Sequence, residues 1–213
     1  MIKERKCKRD LILDTAFRLF VEKGYLDTKV IDIADEAGIG KGTVYEYFSS
    51  KEALFAELLR THVIDHYTVL SKRLKSSDSC CEDQLKQYIL FERETAMRYG
   101  NGKNYIDRLS AEYGILQKPE LKETVDRLME IRFNTVHSIL SEGIEKGEFI
   151  PVNPTAATLS IMGAVSFFLS FKYGLLSNDK SDCNHIYNLN DGTWDENELF
   201  DMIFKGLLCN NST

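Results

Sequence analysis

The stretch VIDIADEAGIGKGTVYEYF, residues 30–48, restricts the fold more than any other part of the chain. Val30, Ile33, Ala34 and Ala37 fall at i, i+3, i+4 and i+7, which is one stripe of a helix. Gly38 is able to take the left-handed conformation that a tight stop requires. Ile39 then plugs the turn, and Gly40 starts a short second helix. On that helix Val44 and Phe48, four apart, pack inward, leaving Lys41, Thr43, Tyr45, Glu46 and Tyr47 outward or at the edges. Two helices joined by a glycine-containing turn form a helix-turn-helix, whose second helix enters a major groove. A hairpin that never meets DNA has the same turn, so the outward residues discriminate. Threonine, lysine and two tyrosines suit phosphate oxygens and base edges.

Three glycines around Lys41 also suggest a loop that cradles nucleotide phosphates, but the spacing excludes it. That loop needs G-x-x-x-x-G-K-[ST] after a strand. Here Gly42 follows Lys41, Asp35 stands five before Gly40, and the preceding segment is helical.

The rest of the chain extends the helical reading. With only three prolines (Pro119, Pro151, Pro154) and few alternating β-branched runs, the 213 residues predict an all-α protein. The first helix is expected from about Arg5 to Lys23, closed by Gly24. Thr28 stands where the second helix wants an N-cap. Ser49 to Glu52 reads as a capping box, opening a long fourth helix to about Lys75 with Phe55, Leu58, Leu59, His62 and His66 on one stripe. Further helices are expected over 83–99, 103–113, 119–146 and 154–177. After a loop over 178–192, Thr193 and Glu196 form a second capping box for a last helix to about Leu208. Asn153–Pro154 is a cap followed by proline at the first helical position.

Charge is unevenly spread. Residues 1–60 carry 11 basic and 11 acidic side chains, whereas the remainder carries 16 and 22, and so the whole net charge of −6. The first nine residues hold five basic groups (Lys3, Arg5, Lys6, Lys8, Arg9) against one acid. A basic tip on an acidic body focuses attraction for a polyanion at one end. The five cysteines (Cys7, Cys80, Cys81, Cys183, Cys209) show neither a disulfide framework nor zinc spacing. No signal-peptide pattern is visible, and a reducing cytoplasm is expected. The apolar run Leu159 to Leu176, broken by Ser160, Ser166, Ser170 and Lys172, is a poor membrane span and a better buried helix.

The block GYLDTKVIDIADEAGIGKGTVYEYFSSKEALF, Gly24 to Phe55, resembles the TetR family of one-component transcriptional regulators almost position for position. The resemblance covers about the first quarter of the chain. It implies an all-α homodimer of about nine helices. Residues 1–50 would form a three-helix helix-turn-helix DNA-binding domain, and residues 51–213 a helical ligand-binding and dimerisation domain. Carried onto this sequence, it has Thr28 cap helix two while touching a phosphate. Lys41, Gly42 and Thr43 approach bases and backbone, Tyr45 and Tyr47 reach phosphates, and Lys51 contacts the DNA backbone. Two departures stand out: Gly40 replaces a frequent serine, and Glu46 puts an acid on the DNA-facing helix, there to accept from cytosine N4 or to point away.

The resemblance assigns the dimer interface to the last two helices, here with Phe167, Phe168, Phe171, Phe200 and Phe204 to bury. It also implies an inducer pocket inside the body, among helices four to eight. On one face of helix five Tyr88, Glu92 and Tyr99 suit a cationic, aromatic-friendly ligand, though plain core with Glu92 at its edge fits the same stripe. Phe133 and His137 share a face of helix seven. His62 and His66, four apart, lack the glutamate and third ligand of a metal motif, so no metal is expected, nor any cofactor. With no nucleophile–base pair or phosphate loop, an enzyme is disfavoured. The expected function is a repressor released from a palindromic operator by a small-molecule inducer; ligand-independent or activating regulation fits the same residues.

Overall fold

The structure, a computed structural model, describes residues 7–100, 118–172 and 196–208. The described residues are helical: α1 Lys8–Lys23, α2 Val30–Glu36, α3 Lys41–Tyr47, α4 Lys51–Leu58, a π-helical segment Leu59–Ile64, α5 Asp65–Lys75, α6 Cys81–Gly100, α7 Pro119–Glu145, α8 Pro154–Lys172 and α9 Glu196–Leu207. The α4, π and α5 segments follow one another without a break, so the nine labels describe eight rods among the described residues. The expected helix over 103–113, the loop over 178–192 and the Thr193 end of the last capping box lie outside the described residues.

Caps set the ends of several rods. α1 begins later than Arg5, at Lys8, with Cys7 Sγ accepting from the Asp10 N–H at 3.4 Å. Ser50, not Ser49, caps α4: its hydroxyl oxygen accepts from the Ala53 N–H at 3.0 Å. Asn153 caps α8 as expected, its Oδ1 accepting from the Ala156 N–H at 3.0 Å. Gly38 has φ +66°, the left-handed geometry that lets α2 stop and α3 leave at once.

The head is built on aromatic packing. Phe20, Tyr25 and Phe55 lie with ring centroids 4.9–5.5 Å apart, joined by Ile12, Leu19, Ile33, Val44 and Phe48. Because Leu54, Phe55 and Leu58 belong to this cluster, the head's core reaches past residue 50 into α4. The body core follows on from it without a gap, through Leu70, Leu74, Leu85, Ile89, Leu128, Val136, Leu140 and Val165. At the far end the Ile150 N–H donates to the Leu207 carbonyl at 2.8 Å, fixing α9 to the α7–α8 connection.

The π segment corrects the expected stripe on the long rod. Phe55, Leu58 and Leu59 are buried as the spacing requires, but the buried set then continues as Val63, Ile64, Tyr67, Leu70 and Leu74. His62 is half-buried and His66 exposed. A π turn takes one more residue than an α turn, and every later side chain is rotated accordingly. His62 instead stacks on Phe17 of α1, ring centroids 4.7 Å apart, where burial lowers its pKa.

Candidate nucleic-acid interface

Val44 and Phe48 are buried, and they fix which side of α3 faces outward. Lys41, Gly42, Tyr45, Glu46 and Tyr47 are exposed and Thr43 is half-buried. Tyr45 and Tyr47 show 46% and 43% of their surface, large for aromatic side chains. Lys41 Nζ lies 5.8 Å from the Tyr45 ring centroid, a cation over the face of a π system. Behind α3, Arg9 lies over the Phe48 ring and also pairs with Glu57 on α4, so this member of the basic tail is engaged within the head. Lys3, Arg5 and Lys6 lie outside the described residues.

Two of the residues expected at DNA are turned inward. Thr28 is fully buried; its hydroxyl donates to the Gly24 carbonyl at 2.7 Å, and the N-cap of α2 is Lys29. The Lys29 N–H is met by the Asp32 carboxylate at 2.8 Å, so the threonine hydroxyl is not needed there. Lys51 likewise ties up the loop between α1 and α2: its ammonium donates to the carbonyls of Tyr25 at 2.6 Å and Thr28 at 2.8 Å and lies 4.1 Å from the Tyr25 ring centroid. A third carbonyl, Leu26, is 3.4 Å away, which matches the three donors of an ammonium. Burial lowers the Lys51 pKa. Both residues shape the loop that presents the helix-turn-helix.

In the body, one carboxylate gathers several helices. Glu92 of α6 accepts from Arg132 of α7 in a two-pronged pair, Nε to Oε1 at 3.0 Å and Nη2 to Oε2 at 2.9 Å. It also accepts from the Tyr88 hydroxyl at 2.5 Å and from the Tyr67 hydroxyl of α5 at 3.0 Å. Arg132 Nη2 reaches Ser166 Oγ of α8 at 3.2 Å. Burial, and then the charge of Glu92, raises both tyrosine pKa values well above the ordinary range, so both hydroxyls stay protonated donors. The carboxylate expected to meet a cationic ligand is met instead by Arg132. Of the other residues expected at a pocket, Phe133 and His137 stack on each other at 5.4 Å, half-buried on α7. The side chain of Tyr99 lies outside the described residues. A cleft with room for about one water lies between the π segment and α6, lined by His62, His66, Tyr67, Phe91 and Glu94. Among the described residues no three His, Cys, Asp or Glu side chains converge as a metal site.

The family model of bacterial regulatory proteins of the tetR family matches residues 12–58, the segment that carries α2, the turn and α3. The HTH-type transcriptional repressor KstR2 of Mycobacterium tuberculosis is 31% identical over 144 residues, which are 68% of this chain and 70% of KstR2. The chain belongs to the TetR family. The HTH-type transcriptional regulator YfiR of Bacillus subtilis, itself uncharacterized, is 27% identical over 184 residues, 83% of this chain and 82% of YfiR. Solved structures share the fold: KstR2 with a TM-score of 0.66 at 22% identity over 97% of each chain. FadR from Bacillus subtilis, in complex with stearoyl-CoA, gives 0.62 at 20% identity over 92% of this chain and 98% of FadR.

This TetR-family chain also shows an apolar face on its last two described helices. Leu159 and Phe167 of α8 expose 60% and 58% of their surface, and Met202 of α9 exposes 76%. Exposed Ser160, Gly163 and Ala164 on α8 and Gly206 on α9 give the face a low relief. Of the phenylalanines expected at an interface, Phe204 is buried in the monomer core and stacks on half-buried Phe200. Phe168 is half-buried, and the side chain of Phe171 lies outside the described residues. Spacing marked Phe204 as apolar but could not say which protein covers it. No helix among the described residues is long and apolar enough to cross a membrane.

Proposed function

We propose that this TetR-family regulator is a homodimeric repressor that reads a palindromic operator through α3 and leaves it when a small molecule occupies the body. The observation that carries this reading is the outward face of α3, where Lys41, Gly42, Tyr45, Glu46 and Tyr47, with Thr43 at the edge, stand clear of a core fixed by Val44 and Phe48. Lys41, Tyr45 and Tyr47 supply phosphate contacts, and such a protein acts in the cytoplasm, where the DNA is.

A palindrome needs two heads held at a fixed spacing. The exposed Leu159, Phe167 and Met202 supply the surface that two copies would bury against each other. The inducer must bind the DNA-free arrangement more tightly than the DNA-bound one, by the factor by which it weakens operator affinity. Because Glu92 is already paired with Arg132, its carboxylate does not call for a cationic ligand. Stearoyl-CoA, which FadR holds, is the first probe.

The test is a mobility-shift titration with duplexes bearing the inverted repeat that the purified protein protects beside its own gene. Sequence-specific binding with a steep negative slope of log K against log salt is expected. Addition of stearoyl-CoA should release the duplex. Leu159→Asp should yield monomers by light scattering and lose the operator. Binding that ignores both sequence and salt would sink the proposal.

A further inference from the structure

Glu46 is the least expected residue on a surface meant for a polyanion, and its position gives it a role. Successive residues of a helix are about 100° apart, so Glu46 lies about 200° from buried Val44. That is the side of α3 opposite the core. Gly42, one turn earlier, lies on the same side, and a Cβ added to it would meet nothing within 4 Å. With no side chain at Gly42, the helix can approach a groove floor closely, and Glu46 is then the longest side chain on the approaching face. Tyr45 and Tyr47 flank it by about 100° on either side, placed for the two groove walls.

The charge of Glu46 is not spent within the head. Among the described residues no side chain forms an ion pair or hydrogen bond with it, and the neighbouring cation, Lys41, lies over Tyr45. Turned to a groove wall, the carboxylate would meet phosphates and be repelled. Turned to the floor, it needs a donor, because an ionised carboxylate only accepts. In the major groove cytosine offers its N4 amino group and adenine its N6 amino group, but adenine places the acceptor N7 beside the donor. A carboxylate facing both would lose on N7 what it gains on N6.

We propose that Glu46 sets the operator sequence by accepting a hydrogen bond from the N4 amino group of one cytosine in each half-site. This rests on the reading of α3 as the DNA-contacting helix. It makes the acid a specificity-determining residue, while Lys41 and the tyrosines hold the duplex. In a two-fold symmetric complex the same cytosine recurs, on the opposite strand, at the mirrored position of the second half-site.

The test is selection of duplexes from a randomised library by the full-length protein, by E46A and by E46Q. The wild-type protein is expected to enrich one cytosine per half-site. E46A should discriminate at that base pair at least about tenfold less, with every other position unchanged. E46Q, whose amide both donates and accepts, should admit adenine there. The salt slope should be the same in all three, since a base contact displaces no counterion. If E46A selects the same sequences as the wild type, the proposal is overturned. It is equally overturned if E46A binds all sequences more tightly by one factor, which would place the carboxylate beside phosphates. A wild-type protein that enriches no sequence would overturn the DNA-binding reading itself, so the two failures are told apart.

Discussion

In the head, polar side chains stand on the outside of a small aromatic core, whereas in the body they are sealed inside and answer one another. Lys41, Tyr45, Glu46 and Tyr47 are exposed around buried Val44 and Phe48. Arg132, Glu92, Tyr67 and Tyr88 meet in the interior, with Ser166 at the edge of the group. The first arrangement leaves hydrogen-bonding capacity to be filled by another molecule. The second fills its own, joining α5, α6 and α7 at a single carboxylate and reaching α8 through Arg132. One half of the chain is thus shaped to be completed from outside, and the other to be held until something displaces it.

The sharpest way to break this contrast is Arg132→Met. Removing one partner of a buried pair leaves an uncompensated charge, and a loss of about 3–5 kcal/mol in denaturant unfolding is expected. Pairing it with Glu92→Leu should recover part of that loss, because neither charge is then stranded although the Tyr67 and Tyr88 hydroxyls lose their acceptor. A neutral Arg132→Met would mean that the body's polar cluster is no more closed than the head's surface. In the head, Gly38→Ala forces a side chain into φ +66° and should cost roughly 1–2 kcal/mol, read as a lowered midpoint of thermal unfolding. The smallest effect concerns pH. Arg60 and then Arg9 hold the Glu57 carboxyl down at about 2, against an ordinary 4.5. Stability from that group is present above pH 4.5 and is lost as pH falls toward about 2. Both arginines are about half solvent-exposed, so screening leaves about 1 kcal/mol, which Glu57→Gln should remove from the acid limb of the stability profile.

The same contrast explains what could be read in advance. The helix-turn-helix was legible because its signals are local: an apolar stripe, a glycine stop and two inward residues four apart, all within 19 residues of sequence. Thr28 and Lys51 were read as DNA contacts; the structure gives their donors main-chain carbonyl partners, which leave no mark in a side-chain pattern. The Arg132–Glu92 pair was missed, although a signal existed. Arg132 lies four residues after buried Leu128 and four before buried Val136, an arginine inside an apolar stripe, just as Glu92 is an acid inside another. Two such misfits of opposite charge are each other's natural partner. Phe204 and Met202 show the remaining difficulty. Both lie on the same amphipathic helix, yet one is core and the other exposed, and only the placement of neighbouring helices decides which.

The π segment Leu59–Ile64 sets the phase between the two halves. Along the rod from Lys51 to Lys75 the head-facing residues and the body-facing residues are two threads of one screw, offset by a single surplus residue. Taking that residue out would leave both threads apolar and both helices intact. It would nevertheless turn one half against the other by about 100°, carrying Tyr67 away from Glu92 while Phe55 stayed in place. In this chain, therefore, the angle at which the reading head is offered to DNA is written in the length of the rod as much as in the identity of its residues.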